Sequence, residues 1–138
     1  MVKYTFYELP ETIRKGILQM ANDLTGFEIT PDLKAHFKKI KERAEKSTYI
    51  YIHDFPVDLL RFVSATPMDF LAKGDLIGYN TIVHFVEELR KGKTIQPIVV
   101  RKYKDGYGLI DGYHRADAAL YLGIKILPVL IEEYGDVK

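Results

Sequence analysis

The N-terminal third of the chain carries apolar side chains at helical intervals. A first set recurs every three or four residues, at Leu9, Ile13, Ile17, Met20, Ala21 and Leu24. This spacing predicts a helix of about four turns. A second helix is predicted to begin near Thr30, Pro31 and Asp32. Its single apolar stripe is formed by Leu33, Phe37, Ile40 and Ala44. The two segments are predicted to form a helical hairpin within residues 1–48.

From Ser47 onward the pattern changes to alternating β-branched and aromatic residues. The segment TYIYIHDF predicts a strand that ends near Asp54. Between Phe55 and Gly78, prolines and glycines interrupt short apolar pieces, which indicates turns and a short helix. The change at Ser47 predicts a boundary between an N-terminal helical extension, residues 1–48, and a domain over residues 49–138.

A long helical pattern follows near residue 80. Asn80 or Thr81 can cap this helix, and Lys91 with Gly92 closes it. Its apolar face consists of Ile82, Phe85, Val86 and Leu89.

The last third of the chain alternates strand and helix signals. QPIVVRKY predicts a strand, Asp105 with Gly106 a tight hairpin turn, and YGLID the partner strand. A helix from about Tyr113 to Leu122 then ends at Gly123, and KILPVLI supplies a last strand. The chain is therefore predicted to be an α+β protein, with a small mixed sheet flanked by helices and an N-terminal helical hairpin.

Length and composition narrow the class of protein. The chain has 138 residues, of which 47% are hydrophobic and 28% charged, as expected for one globular domain with a sizeable core. No apolar run approaches the roughly 20 residues that cross a bilayer. The N-terminus also lacks the pattern of a secretory signal, so a cytoplasmic protein without a membrane partner is expected. The absence of cysteine excludes disulfides, thiolate metal sites and cysteine nucleophiles.

The segment LIDGYHRADAALYLG, residues 109–123, places the letters DGYHR between a strand and a helix. The first turn of a helix presents unpaired backbone N–H groups and the positive end of the helix dipole, which attract a phosphate. Gly112 lets the backbone approach closely, and the Arg115 guanidinium can bind phosphate oxygens in pairs beside His114. Asp111 would repel the anion. It is therefore predicted to bind a cation, orient a hydroxyl or act as a general base.

The same residues also permit a structural interpretation. An Asp-Gly pair before a helix is a common turn, His114 can satisfy a buried carbonyl, and Arg115 can be a surface charge. Spacing alone leaves both interpretations open.

From Ile50 to Ile131 the chain resembles the ParB and sulfiredoxin superfamily. The resemblance rests on the strand QPIVVRKY after a helix ending in KGKTI, on the hairpin into LIDGYHRADAALYLG, and on the closing strand ILPVLI. HDFPVDLLRF is similar to the sulfiredoxin lead-in to its substrate groove. The resemblance implies that a nucleotide di- or triphosphate, with Mg²⁺ as an accompanying ion, binds at the glycine turn. The phosphates would lie against Gly112, Tyr113, His114 and Arg115, with Asp111 and His114 as the catalytic residues.

The branches of this superfamily differ in their reaction. Sulfiredoxins use ATP and their own cysteine to repair an oxidised protein cysteine. Tyr113 takes the place of that cysteine here, so their chemistry is excluded. Partition ParB proteins bind and hydrolyse CTP as DNA clamps and continue into a helix-turn-helix domain; since this sequence ends at Lys138, a complete clamp is not expected. Free serine kinases have an Asp-Gly-His-His-Arg motif, similar to residues 111–115, and ParB-like nucleases also act at phosphate.

The resemblance also points to the helix after Asn80, where sulfiredoxins place polar side chains against the phosphates. Thr81, His84 and Glu88 have the spacing of one helix face. Thr81 and His84 are therefore expected to form a second wall of the site, although Thr81 replaces a lysine of sulfiredoxins. The alternative is an ordinary cap at Thr81 with solvated His84 and Glu88.

Other polar residues have ordinary structural explanations beside functional ones. His53 and Asp54 suit a turn better than a metal site, and Arg61 suits a surface ion pair. A run of basic residues in the second helix can follow a nucleic-acid backbone or simply keep that helix soluble. The run comprises Lys34, Lys38, Lys39, Lys41, Arg43 and Lys46.

The principal hypothesis is a nucleotide-binding protein that transfers or hydrolyses a phosphoryl group at the DGYHR helix. The alternatives are a ParB-like DNA-binding protein or nuclease, which would use the helical hairpin as its contact surface, and a non-catalytic interaction domain. The expected partners are a nucleotide, a small hydroxyl substrate or DNA, and a second copy of the chain in a homodimer. Replacing Arg115 with alanine is expected to abolish nucleotide binding without unfolding the protein.

Overall fold

Five strands form one mixed sheet in the computed structural model, which describes residues 2–18, 31–62 and 64–134. The strands are β1 (Val2–Thr5), β2 (Ser47–Pro56), β3 (Ile98–Tyr103), β4 (Gly106–Asp111) and β5 (Ile126–Tyr134). The helices are α1 (Glu11–Ile17), α2 (Pro31–Lys46), α3 (Pro67–Ala72), α4 (Leu76–Arg90) and α5 (Tyr113–Tyr121). Short 3-10 turns span Phe6–Glu8 and Val57–Leu59. The predicted α+β class, a small mixed sheet flanked by helices, is confirmed.

The strands are arranged in the order β1-β2-β5-β3-β4. β3 and β5 are parallel, and the other neighbouring strands are antiparallel. A parallel pair needs a long crossover, which β4 and α5 provide here. Because β4 runs back along β3 and ends opposite Val99, the turn from β4 into α5 lies beside the first residues of β3.

Successive residues of a strand point to opposite faces of the sheet, and both faces are covered here. Ile98 and Val100 of β3 pack with Ala116 and Ala119 of α5 on one face. Val99 lies on the other face, where the covering side chains are Phe6, Leu9, Ile13, Ile17 and Ala44. A third cluster, formed by Ile82, Val86 and Ala118, packs α4 against α5. Helix α5 is therefore held by the sheet on one side and by α4 on another.

The N-terminal segment contains a strand that the sequence pattern did not predict. β1 pairs with β2, with Val2 opposite Tyr51 and Thr5 opposite Thr48. At four residues, β1 has the minimum length over which alternation indicates a strand, and most of its residues are exposed. Helix α2 begins at Pro31 as predicted, and α1 begins at Glu11. The last three apolar positions of the predicted first helix, Met20, Ala21 and Leu24, lie outside the described residues. Residues 2–17 thus belong to the same sheet and core, and the division at residue 48 stays a prediction.

The predicted start of α4 is wrong. The helix begins at Leu76, where the Asp75 carboxylate caps it by accepting a hydrogen bond from the Gly78 N–H at 2.9 Å. Asn80 and Thr81 lie inside the helix. Its end at Lys91 and Gly92 is confirmed. None of the helices in the described part of the chain is long and apolar enough to span a membrane.

Candidate functional site

Gly112 turns the chain from β4 into α5 in a conformation that other residues rarely adopt. Its φ angle is +102°, in the left-handed region that favours glycine. A Cβ atom at this position would lie 2.5 Å from Cγ2 of Ile98 and 2.9 Å from Nη2 of Arg115. The turn therefore requires glycine both for its backbone angle and for the close approach of its neighbours.

The first turn of α5 follows directly from this glycine. The Gly112 carbonyl accepts a hydrogen bond from the Ala116 N–H at 2.9 Å, which starts the helix. Gly112 has no side chain, and none of the described side chains caps the helix. The N–H groups of the first turn and the positive end of the helix dipole together favour a bound anion at this position.

Asp111 and Arg115 form a buried ion pair directly beneath the turn. Asp111 Oδ2 accepts a hydrogen bond from Arg115 Nη2 at 3.1 Å, and the two side chains are only 12% and 8% exposed. Arg115 Nη1 also donates to the Gln96 carbonyl at 3.2 Å. Burial lowers the pKa of Arg115, although the Asp111 charge acts in the opposite direction. The guanidinium thus points into the protein, where it supports the turn.

Helix α1 covers the other side of the Asp111 carboxylate. A Cβ atom on Gly16 would lie 2.2 Å from Asp111 Oδ2, so the helix backbone and the carboxylate are in close contact. Thr12 Oγ1, one turn earlier, donates to Gln96 Oε1 at 2.8 Å. This contribution of α1 was not predicted from the sequence. The sequence did carry one signal, a glycine inside the helical segment ETIRKGI. Alanine at that position would make the helix more stable, so a glycine there indicates that a neighbouring group lies too close for a side chain.

Tyr113 and His114 occupy the outer side of the same turn. The His114 ring stacks on Phe70 of α3, with centroids 5.4 Å apart and 26° between the planes. The Tyr113 ring is 48% exposed, and its hydroxyl donates to the Leu109 carbonyl at 3.1 Å. The stack on Phe70 therefore fixes the orientation of the His114 imidazole, which belongs to the first turn of α5.

Asp117 is a second residue near the turn that was not predicted from the sequence. It lies one turn after His114, is only 4% exposed, and accepts a hydrogen bond from the Ala65 N–H at 2.9 Å. Burial raises the pKa of Asp117, while the Ala65 hydrogen bond and the nearby His114 act to lower it. Asp117 thereby connects α5 to the segment that leads into α3. Helix α3 carries Phe70, the ring on which His114 stacks. The sequence signal for Asp117 was a charged residue between the alanines of the helix.

The predicted second wall lies on α4. The Thr81 hydroxyl donates to the Ile77 carbonyl at 2.8 Å within its own helix. His84 is 62% exposed and lies 3.8 Å from Glu88, which also pairs with Lys93. Among the described residues, no hydrogen bond or ion pair joins these side chains to residues 111–115. The role of Thr81 and His84 toward phosphates stays a prediction.

The other candidates from the sequence lie elsewhere. His53 and Asp54 are exposed at the irregular register between β2 and β5. Arg61 donates to the carbonyls of Asp58 and Asp105, each at 2.9 Å. Within residues 2–18, 31–62 and 64–134, no group of three or more histidines and carboxylates is placed to hold a metal ion.

Comparison with known proteins identifies a family model and solved structures that are similar to this chain. A family model described as the ParB N-terminal domain matches residues 64–138, which is more than half of the chain. The crystal structure of sulfiredoxin from Arabidopsis thaliana is similar over 59% of this chain and 83% of that chain, with 20% sequence identity and a TM-score of 0.44. No curated protein sequence matches the chain. The family match includes the whole turn from Asp111 to Arg115, together with α3 and α4.

Proposed function

Because the chain belongs to the family of ParB N-terminal domains, we propose that it binds the phosphates of a nucleotide di- or triphosphate at the start of α5. The observation that supports this most directly is the Gly112 turn, whose backbone is left-handed. Gly112 precedes the first turn of α5, and none of the described side chains caps that turn. A phosphate at this position would accept hydrogen bonds from backbone N–H groups and interact favourably with the helix dipole.

In this proposal the residues of the turn have different roles. The amides of Tyr113, His114 and Arg115 bind the phosphate oxygens, and the His114 imidazole adds a further donor. Each charge-assisted hydrogen bond contributes about 1.5–3 kcal/mol, so a few of them can hold a diphosphate. The Arg115 side chain is already paired with Asp111 and Gln96. It acts as a positioning residue that holds the turn in its binding conformation.

Phosphoryl transfer or hydrolysis at this site would use His114 as the acid-base group. Asp111 was the other candidate from the sequence, but its carboxylate lies between Arg115 and the backbone of Gly16. To act as a base or to bind Mg²⁺, it would first have to leave those contacts. His114 needs no such movement, because its imidazole stacks on Phe70 and has no hydrogen bond or ion pair with any described residue.

Binding can be tested with a panel of nucleotides, with and without Mg²⁺, by thermal shift and calorimetric titration. A ligand present at 100 times its dissociation constant stabilises the folded protein by about 2.7 kcal/mol. We expect at least one nucleotide to stabilise the wild type and the variant His114→Ala to lose most of that effect. His53→Ala is the matched control, because His53 is exposed on β2. Failure of every nucleotide, or equal binding by both variants, would refute the proposal.

The reaction is tested separately with the nucleotide that binds. Release of inorganic phosphate would indicate hydrolysis, and a phosphorylated product with a small hydroxyl acceptor would indicate transfer. Nicking of a plasmid would support the nuclease alternative. If binding occurs and none of these products forms, the chain is a non-catalytic nucleotide-binding domain.

A further inference from the structure

Asp117 is a buried carboxylate for which the proposed phosphate site has no role. The residue is 4% exposed, and none of the described residues forms an ion pair with it. The Ala65 N–H donates to its Oδ1 at 2.9 Å, and the Ser64 hydroxyl is a second hydrogen-bonding partner of the carboxylate. Burial raises the pKa of Asp117, and a carboxylate with a raised pKa accepts a proton more readily. Asp117 therefore holds a hydroxyl group beside a basic oxygen.

The segment that carries Ser64 is attached to α5 at two points. The Phe62 ring contacts the Tyr113 ring edge to face, with centroids 6.2 Å apart. The backbone of Ala65 binds Asp117, one turn further along the same helix. Ser64 lies between these two attachments in the sequence, and it is exposed. Its hydroxyl is thus held beside the start of α5 and is open to solvent.

The Asp117 side chain leans towards the proposed phosphate site. The Cα–Cβ bonds of a helix tilt towards its N-terminus, and Asp117 comes three residues after His114, which is about 4.5 Å along the helix axis. Burial raises the Asp117 pKa, and the nearby His114 acts to lower it, so the two side chains are neighbours. The Ser64 hydroxyl on Asp117 is therefore about one helical turn from the amides that would bind the phosphates.

A hydroxyl beside an aspartate is the arrangement that phosphoryl transfer requires of its acceptor. In protein kinases an aspartate accepts the proton of the acceptor hydroxyl, and a hydroxyl becomes a nucleophile when an adjacent base takes its proton. The other serine of the chain, Ser47, is 2% exposed and donates to the Arg43 carbonyl at 2.7 Å. Of the two serines, only Ser64 combines exposure with a carboxylate partner.

We propose that Ser64 is an internal acceptor for the terminal phosphoryl group of a nucleoside triphosphate bound at the start of α5, an inference that rests on the nucleotide site proposed above. Ser64 Oγ forms a bond to the terminal phosphorus while the bond from that phosphorus to its bridging oxygen breaks. The nucleoside diphosphate leaves with the electron pair of the broken bond, and the hydroxyl proton passes to Asp117. For this acceptor Asp117 is the base, and His114 remains a donor to the phosphate.

Incubation with ATP, CTP, GTP and UTP, each with a radioactive terminal phosphate and Mg²⁺, tests the inference. Mass spectrometry locates the modified residue, with the buried Ser47 as the internal reference. We expect phosphate on Ser64 with at least one of the triphosphates and none on Ser47. The labelling rate is expected to be independent of protein concentration, because the acceptor and the site belong to one chain.

Two variants separate the acceptor from the base. Ser64→Ala removes the hydroxyl at an exposed position and should abolish labelling. Asp117→Asn keeps an oxygen for the Ala65 N–H and should slow labelling by about 10²–10⁴-fold, the typical contribution of a general base. Both variants should keep the thermal shift that the triphosphate causes in the wild type, because neither side chain binds the phosphates. Labelling of Asp117→Asn at the wild-type rate would overturn the role of this carboxylate.

The nucleotide site and the internal transfer fail in different ways. If no triphosphate shifts the melting temperature of the wild type, nucleotide binding is refuted and the transfer with it. A thermal shift without phosphoserine at position 64 would overturn the transfer alone, and it is the result expected if the Ser64 hydroxyl only satisfies Asp117. Label that persists in Ser64→Ala, or a labelling rate that rises with protein concentration, would also overturn it.

Discussion

At the scale of single residues, burial decides what Arg115 does. In the sequence it stands at the start of a helix, where an exposed guanidinium would bind an anion. In the structure it is 8% exposed and donates to Asp111 and to the Gln96 carbonyl. The sequence could indicate the residue and its position in the helix, but not its direction. The direction depends on Gln96 and on the cover that α1 provides, which are distant in the chain.

The buried pair changes the expected effect of removing the Arg115 side chain. Arg115→Met leaves the Asp111 carboxylate buried without its partner, and breaking such pairs typically costs about 3–5 kcal/mol. We therefore expect partial or complete unfolding, instead of the intact fold expected from the sequence. The double variant Asp111→Asn with Arg115→Met should recover part of the loss, because no isolated charge remains. Urea denaturation measures both, and a single variant as stable as the wild type would contradict the pairing.

Asp117 gives a prediction for the dependence of stability on pH. Burial raises its pKa in the folded protein above the ordinary value of 3.8, so the folded state binds this proton more tightly than the unfolded state does. The contribution of this group to stability is therefore largest below pH 3.8. It falls as pH rises through the raised value.

Asp117→Asn removes the charge and keeps an oxygen that can accept the Ala65 N–H. We expect the variant to be more stable than the wild type at pH 7, with the difference disappearing near pH 3. Asp117→Ala is the control, since it leaves the Ala65 N–H unsatisfied and should cost about 1–3 kcal/mol. Urea denaturation at pH 3, 5 and 7 measures the three proteins. If the wild type were the most stable of the three at pH 7, the ionised Asp117 carboxylate would be favourable in its buried position and the prediction would be wrong.

At the scale of helices and strands, an element could be predicted from the sequence when its apolar pattern was long. The apolar face of α4 and the strand β3 were recognisable because several consecutive positions share one period. The start of α4 was not recognisable, because Leu76 and Ile77 are apolar but exposed, by 63% and 82%, and so do not continue the buried face of the helix. β1 has only the minimum length for such a pattern, and most of its residues are exposed. Gly16 inside a helical segment hinted at a close contact of α1, but its partner Asp111 could not be predicted, because the two residues come from opposite ends of the chain.

That contact predicts an unusual effect of alanine in α1. A glycine inside a helix is usually destabilising by about 0.5–1 kcal/mol relative to alanine. At Gly16 the added methyl group would lie 2.2 Å from Asp111 Oδ2, so α1 or the carboxylate must move. Gly16→Ala should therefore lose about 1–3 kcal/mol, the typical cost of overpacking, while Lys15→Ala at the exposed neighbour should change stability little. Denaturant unfolding gives both values, and a gain for Gly16→Ala would exclude the close contact.

At the scale of the whole molecule, the family match and the folding unit do not coincide. The match covers residues 64–138, which include β3, β4 and β5. In the sheet, however, β5 lies between β3 and β2, and β1 pairs with β2. Val99 and Leu130 are covered by Phe6, Leu9, Ile13 and Ile17 from the N-terminal segment. The sequence-based division at residue 48 separates two parts that share one core.

A fragment of residues 64–138 is therefore expected not to fold by itself. It would lose β2, leaving β5 as a sheet edge, and it would expose the face that carries Val99 and Leu130. The corresponding point variant in the full chain is Phe6→Ala, for which the loss of a buried aromatic side chain typically costs about 3–5 kcal/mol. Circular dichroism during thermal unfolding tests both proteins. A cooperative transition in the fragment, together with an unaffected Phe6→Ala variant, would mean that residues 64–138 have a sufficient core of their own and that the N-terminal segment is an addition to it.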